Sequence, residues 1–310
     1  MNYEEVLFNL LNTDDRFIIM TSENRAAMRK LSAEVKDRFI DVGIAEQTMI
    51  GMAAGLALRG RIPVVHALST FLTMRAFEFV RTDVGLGNLP VKLVGAAAGF
   101  LSEANGPTHQ AIEDISLMRG IPNMNIFCPA DEEDMLIGIK EIFLSPNPFY
   151  IRYNNLKPAV KHNKEFKIGK AEVISSGNDV TIFTYGILLK QALEAAERLR
   201  EQGLSVGVVN LRTLKPIDKD LIIKICKQSS VIITLEDHFK TGGLFSIIGE
   251  IALEEGLHCK VHSISLDYKW FKPVMLQNVL EYEGFTSEAI AGNIYRHVEN
   301  LILSKKDNYY

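Results

Sequence analysis

Short β-branched or apolar runs alternate with stretches of helical periodicity along this chain, and that alternation admits few folds. The runs fall at residues 17–20, 38–42, 63–66, 91–94, 125–127 and 149–151. Strands separated by helices make βαβ units, whose parallel sheet must be covered by helices on its faces. Residues 154–170, rich in Asn and Lys and carrying Pro158, break the periodicity and read as a crossing between domains. Beyond them strands are predicted at 180–184, 205–210, 230–235 and 260–264. Between the first two lies an amphipathic helix over 189–202, with Leu189, Leu193, Ala196 and Leu199 at helical spacing. The expected fold class is α/β, with two doubly wound domains. Residues 1–157 form the first, 158–175 a linker and 176–310 a smaller second. The polar tail 304–310 is expected to fray.

A net charge of -4 and 47% hydrophobic residues describe a mildly acidic globular chain, with no basic surplus to drive nucleic-acid binding. Any phosphate recognition has to be local. The acidic start Met1-Asn2-Tyr3-Glu4-Glu5 is unlike a signal peptide, and no apolar run reaches the roughly 20 residues of a membrane span, so the cytoplasm is the expected location. Cys128, Cys226 and Cys259 are far apart and form no CxxC pair, which predicts buried, reduced thiols and neither a disulfide framework nor a zinc site.

The most telling stretch is Asp41-Val42-Gly43-Ile44-Ala45-Glu46-Gln47, followed by the small-residue run Gly51-Met52-Ala53-Ala54-Gly55-Leu56-Ala57. It predicts a strand, a glycine turn and a helix with Glu46 in its first turn, which delivers one carboxylate to the mouth of the sheet. Burial there disfavours the charged carboxylate and the helix N-terminus favours it, a balance suited to proton exchange with a bound heterocycle. Acidic residues also open helices merely to complement the dipole.

Three further segments place side chains at strand ends, where open α/β sheets bind ligands. In Ser69-Thr70-Phe71-Leu72-Thr73-Met74-Arg75-Ala76-Phe77, the residues Phe71, Met74 and Phe77 recur at i, i+3 and i+6, a helical face able either to stack on a planar ring or to pack. Gly106-Pro107-Thr108-His109-Gln110 is a rigid turn presenting a histidine ahead of a helix expected over 111–119. Arg152 ends a strand, where its guanidinium either clamps a phosphate or bridges elements as a salt bridge. In the second domain Glu236-Asp237-His238 precedes Gly242-Gly243, a cluster that serves a site or an interface. No GxGxxG, GxxxxGK[ST] or HExxH occurs, and no Gly-Asp-Gly of the kind that holds a metal-bound diphosphate.

In order, the motifs at Asp41–Gln47, Ser69–Phe71, Gly106–Gln110, Cys128–Asp131, Asn210–Pro216 and Glu236–His238 with Gly242-Gly243 resemble the C-terminal half of a transketolase. The resemblance covers residues 17–302 and implies a pyrimidine-binding thiamine diphosphate domain followed by a transketolase C-terminal domain. It implies that Glu46 hydrogen-bonds the pyrimidine ring nitrogen of thiamine diphosphate and so promotes deprotonation of the thiazolium carbon. Phe71 is implied to stack on the aminopyrimidine, with Met74 and Phe77 beside it. By the same resemblance His109 shuttles protons near the substrate carbonyl, and Arg152 grips a sugar phosphate. The implied reaction moves a two-carbon ketol unit from a ketose to an aldose. Such enzymes hold the diphosphate and Mg²⁺ through an N-terminal domain with a Gly-Asp-Gly motif. The expected partner is therefore an N-terminal transketolase subunit, in an α₂β₂ assembly, and this chain alone is expected to be inert, with no metal ligands of its own.

Two positions depart from the family. Ala97 stands where transketolases carry a histidine, and Asn105 where they carry an aspartate, both of which contact sugar hydroxyls. The departures suggest specialised sugars. The β subunit of a 2-oxoacid dehydrogenase and a deoxyxylulose phosphate synthase-like enzyme share the two-domain arrangement and stand as alternatives, as does a non-catalytic assembly or regulatory subunit that kept the fold.

Overall fold

The computed structural model describes residues 1–24, 27–31 and 35–307. Among these, twelve strands are numbered in chain order: β1 Phe17–Thr21, β2 Phe39–Asp41, β3 Ile62–Leu68, β4 Lys92–Ala96, β5 Asn125–Phe127, β6 Phe149–Arg152, β7 Glu172–Ser175, β8 Val180–Thr184, β9 Val206–Asn210, β10 Thr213–Lys215, β11 Val231–Phe239 and β12 Lys260–Leu266. They form a seven-stranded sheet in the order β10-β5-β6-β4-β3-β1-β2 and a five-stranded sheet in the order β12-β11-β8-β9-β7. Pairing is parallel except at one edge of each sheet, where β10 runs antiparallel to β5 and β7 antiparallel to β9. Strands such as Phe-Ile-Ile-Met-Thr (β1) and Val-Thr-Ile-Phe-Thr (β8) are buried at every residue, as strands covered on both faces must be.

The two edge strands depart from the sequence expectation. β7 lies inside the segment expected as linker, and β10, a product of the second half of the chain, completes the sheet of the first half. Neither carries a readable period, since three or four residues that pair only along one edge need little apolar patterning. The helix expected over 111–119 is confined to Asp114–Arg119. Upstream, the carbonyls of Ala111 and Ile112 accept from the N–H groups of Gly99 and Phe239 and are withheld from a helix. The amphipathic helix expected at 189–202 spans Leu189–Glu201. The last helix, Ser287–Asp307, runs through most of the tail expected to fray; residues 308–310 of that tail lie outside the described residues.

The apolar core does not stop at the crossing between halves. One cluster joins Leu93 and Tyr150 of the first sheet to Phe183 and Val209 of the second. A buried ionic cluster pins the crossing segment as well. The imidazole of His162 lies 2.8 Å from Asp131 and 2.7 Å from Glu172, and Arg212 lies 2.6 Å from Asp134 and 3.0 Å from Glu172. Asp134, His162 and Glu172 could face a common cation, and Arg212 is itself the positive charge beside two of them. No helix among the described residues is long and apolar enough to cross a membrane.

Candidate active site

In the seven-stranded sheet the chain runs outward from β1 to β2, then returns to the other side of β1 through β3 and β4. The loops after β1 and β3 therefore diverge, and the crevice at their carboxyl ends is the topological switch point where such sheets bind ligands. Ser22, just past β1, stitches this edge together. Its N–H donates to the His66 carbonyl at 3.0 Å, its hydroxyl donates to the Gly43 carbonyl at 2.6 Å, and the Ala45 N–H donates to the same hydroxyl at 3.2 Å. The Asp41 carboxylate accepts from the Gly43 N–H at 2.9 Å. Gly43 takes φ 70°, a left-handed conformation that glycine adopts without strain. The helix Glu46–Leu58 begins immediately after, so its first residue is the acid. Met49, Ile50, Ala53, Ala54 and Ala57 are buried along its inner side, and Glu46 itself is only 2% exposed.

After β3 the chain enters two π-helical stretches, Phe71–Arg75 and Val80–Gly85, separated by a single α turn at Phe77–Phe79. Such π turns are rare and recur at functional sites. The extra residue breaks the i, i+3, i+6 face that the sequence suggests: Phe71 looks toward the crevice, whereas Phe77 packs on the apolar core beneath. Met74 is half-buried, with its sulfur accepting from the Thr70 hydroxyl at 3.7 Å. The Phe71 ring meets the His109 imidazole edge-on at 5.2 Å between centroids. The Arg75 guanidinium lies 3.9 Å over the same Phe71 ring and donates to Glu46 Oε2 at 2.9 Å. Four side chains from three separate loops thus converge: Glu46, Phe71, Arg75 and His109. Arg75 is the member that sequence reading passed over; the signal was a guanidinium four residues after Phe71, on the same turn.

His109 closes a short 3₁₀ turn, Pro107–His109, entered through Gly106, and its Nδ1 lies 2.9 Å from the Thr108 hydroxyl. Asn105, just before, is exposed. Ala97 follows β4 with φ 56°, and Glu103 in the same loop has φ 42°. Two non-glycine residues in left-handed backbone within one loop at a strand's carboxyl end mark strain of the kind that collects at ligand sites.

Arg152 does not face this crevice. It is 5% exposed and its guanidinium is filled on both sides: two nitrogens hold Asp114 bidentately at 2.8 and 2.6 Å, and the third reaches Asp237 at 2.6 Å. The Tyr150 hydroxyl donates to Asp114 at 2.6 Å. The salt-bridge reading holds, and the phosphate-clamp expectation gives way to it, because all three nitrogens are engaged by buried carboxylates and the side chain is closed off from solvent. Burial works to raise the Asp114 carboxyl, and Arg152 overcomes it, holding that group below its ordinary value. Asp237 shares the same cation less directly and burial raises it. Glu236, buried and capping the N–H groups of Leu244 and Phe245 at 2.6 and 3.0 Å, is pushed by burial to about 8. His238, driven by burial to about 4, is neutral, so its Nε2 accepts from the Ser116 N–H at 3.3 Å. Asp237 and His238 thus join the two halves, whereas Glu236 caps a helix within its own half. Gly99 shows how close the fit is: a Cβ there would fall 1.8 Å from Asp237 Oδ2.

Residues 2–158 match the family model of the transketolase pyrimidine-binding domain, and residues 169–290 that of the transketolase C-terminal domain. The chain belongs to the transketolase family. Among its relatives, a 6-deoxy-6-sulfo-D-fructose transketolase subunit from Clostridium sp. is 37% identical over 253 residues, covering 80% of this chain and 78% of that protein. A 1-deoxy-D-xylulose-5-phosphate synthase from Dictyoglomus thermophilum is 39% identical over 269 residues, 86% of this chain but 43% of that enzyme. Of solved structures, a split-gene transketolase described as an inactive β4 tetramer superposes with a TM-score of 0.86 at 31% identity, over 95% of this chain and 96% of that one. Transketolases depend on thiamine diphosphate, and the convergent side chains of this transketolase chain fit its aminopyrimidine half. A buried carboxylate suits a ring nitrogen, the Phe71 face suits a flat heterocycle, and the His109 imidazole stands beside that face. For the diphosphate half the transketolase chain carries no Gly-Asp-Gly motif.

Proposed function

We propose that this chain is the C-terminal subunit of a two-chain transketolase, acting on a thiamine diphosphate shared with an N-terminal partner that supplies the diphosphate and Mg²⁺ site. The observation that carries this reading is the 2% exposed Glu46 carboxylate, linked through Arg75 to the Phe71 ring at the sheet's switch point. Two of the similar proteins support the two-chain form, one named as a subunit and one as a split-gene product. An α₂β₂ assembly follows from the same reading.

When bound, the cofactor supplies an electron sink for the two-carbon unit. Glu46 holds the proton shared with the pyrimidine ring nitrogen, and its burial keeps water from competing for that hydrogen bond. Phe71 orients the ring by stacking. His109, half-buried against Phe71, is placed to hand a proton to or from substrate oxygen. The Met74 thioether is proposed to fill space beside the heterocycle. Ala97 and Asn105 leave short side chains in a loop that faces substrate in this reading, which favours sugars other than the ordinary pentose phosphates. The Clostridium relative's name specifies a sulfonated ketose, so an anion-terminated ketose, phosphorylated or sulfonated, is the proposed donor class. With Arg152 committed to Asp114 and Asp237, the charge recognising that terminus comes from another residue.

The test is reconstitution with the partner. Glu46→Gln should lower two-carbon transfer by about a hundredfold or more while leaving assembly intact; unchanged turnover would reduce the chain to a scaffold. Assays pairing xylulose 5-phosphate with ribose 5-phosphate, against 6-deoxy-6-sulfofructose as donor, separate ordinary from specialised substrates. The 39% identity to the deoxyxylulose phosphate synthase favours a second reading, a pyruvate-decarboxylating enzyme. Carbon dioxide release from pyruvate by the reconstituted complex decides for it.

A further inference from the structure

We propose that Arg75 is a displaceable stand-in for the aminopyrimidine, latching the crevice until the cofactor enters; the inference rests on the proposed roles of Glu46 and Phe71. A guanidinium is a flat, delocalised cation that stacks on aromatic faces and donates N–H bonds to carboxylates. An aminopyrimidine engaged by a carboxylate is likewise a flat ring that stacks and shares a proton with the acid. Arg75 makes both contacts at once, 3.9 Å over Phe71 and 2.9 Å from Glu46. The two positions the cofactor ring would use are the two the guanidinium uses.

The burial of the partners explains the arrangement. A carboxylate 2% exposed needs a compensating cation or donor, and among the described residues Arg75 is the cation paired with it. Arg75 itself is 42% exposed, so its head can leave toward solvent at little cost. The π turn Phe71–Arg75 holds the guanidinium above its own first residue, with the Ala76 N–H bonded to the Phe71 carbonyl at 3.0 Å. Entry of the ring exchanges one flat partner of Glu46 for another and never leaves the buried acid bare. The latch lowers apparent affinity by the fraction of molecules in which it is open.

Removing the latch therefore tightens binding. Thiamine diphosphate with Mg²⁺ is titrated into the complex reconstituted with the N-terminal partner, with binding followed by calorimetry. Arg75→Met should lower the dissociation constant about three- to tenfold, the range expected for a half-exposed ion pair stacked on a ring. Arg75→Lys, which keeps the charge but loses the plane and the fork, should fall between the two. Circular dichroism matching wild type in both variants shows that the fold is kept. Weaker or unchanged binding by Arg75→Met overturns the latch and makes Arg75 a positioning residue that stays beside the bound ring. Glu46→Gln separates the two claims: if it binds as well as wild type, the proposed role of Glu46 fails whatever Arg75 does.

Discussion

At the scale of single residues, what a charged group does here follows from which side of it is already taken. Arg152 and Arg75 are both arginines beside carboxylates, yet one is sealed in and the other is 42% exposed. Arg152 neutralises two buried acids, so Arg152→Leu should strand Asp114 and Asp237 and cost about 3–5 kcal/mol in urea unfolding. A phosphate-binding arginine would instead show its loss in KM with stability preserved, so the two measurements together discriminate the roles. From the sequence, Arg152 reads as an arginine at a strand end, and both roles suit that position. The deciding fact is Asp237, 85 residues away on another sheet.

At the scale of elements, the candidate site depends on how the chain leaves each strand. The turn Asp41–Ala45 is set by the Gly43 backbone, the Asp41 cap and the Ser22 hydroxyl, which together fix where the helix starts and hence where Glu46 points. Gly43→Ala has open space for its methyl group but must hold φ 70°. It should destabilise by about 1 kcal/mol. In the reconstituted enzyme its loss of turnover should exceed what the stability change explains, because it swings the carboxylate. A loss of turnover no larger than the unfolded fraction in the same buffer would show that the turn serves stability alone. The helix start at Glu46 was legible because a strand, a glycine and an acid follow one another in sequence. The π turns after β3 were not, since the same residues fit an α-helical face equally well.

At the scale of the whole molecule, the two halves are joined by charge as much as by apolar surface. Held between Asp131 and Glu172, His162 is raised to about 10 against the pull of burial, which lowers it. A folded-state value above the unfolded one means stability fully present below about pH 6.5 and lost as the pH rises through about 10. Buried Lys92, whose ammonium donates to the Ser145 and Asn147 carbonyls, is lowered by burial to about 7 and contributes with the opposite sign in nearly the same window. The clean measurement is therefore differential. The stability advantage of wild type over His162→Gln should shrink as pH is raised from 6.5 to 10 in denaturant titrations, and an advantage constant with pH would deny His162 its charge.

The sequence by itself determined the α/β class, the division into two halves, nearly every long strand and the opening residue of the helix that carries Glu46. These depend on local periodicity and turn chemistry, which neighbouring residues carry among themselves. Only the tertiary structure decided that β10 completes the first sheet, that Asp237 and His238 join the two halves, that Arg152 is sealed and that Arg75 lies on Phe71 against Glu46. The physical reason is that ion pairing, burial and stacking are settled by groups brought together from distant parts of the chain. Which face of a guanidinium stays free is a property of the assembled neighbourhood and of no segment within it.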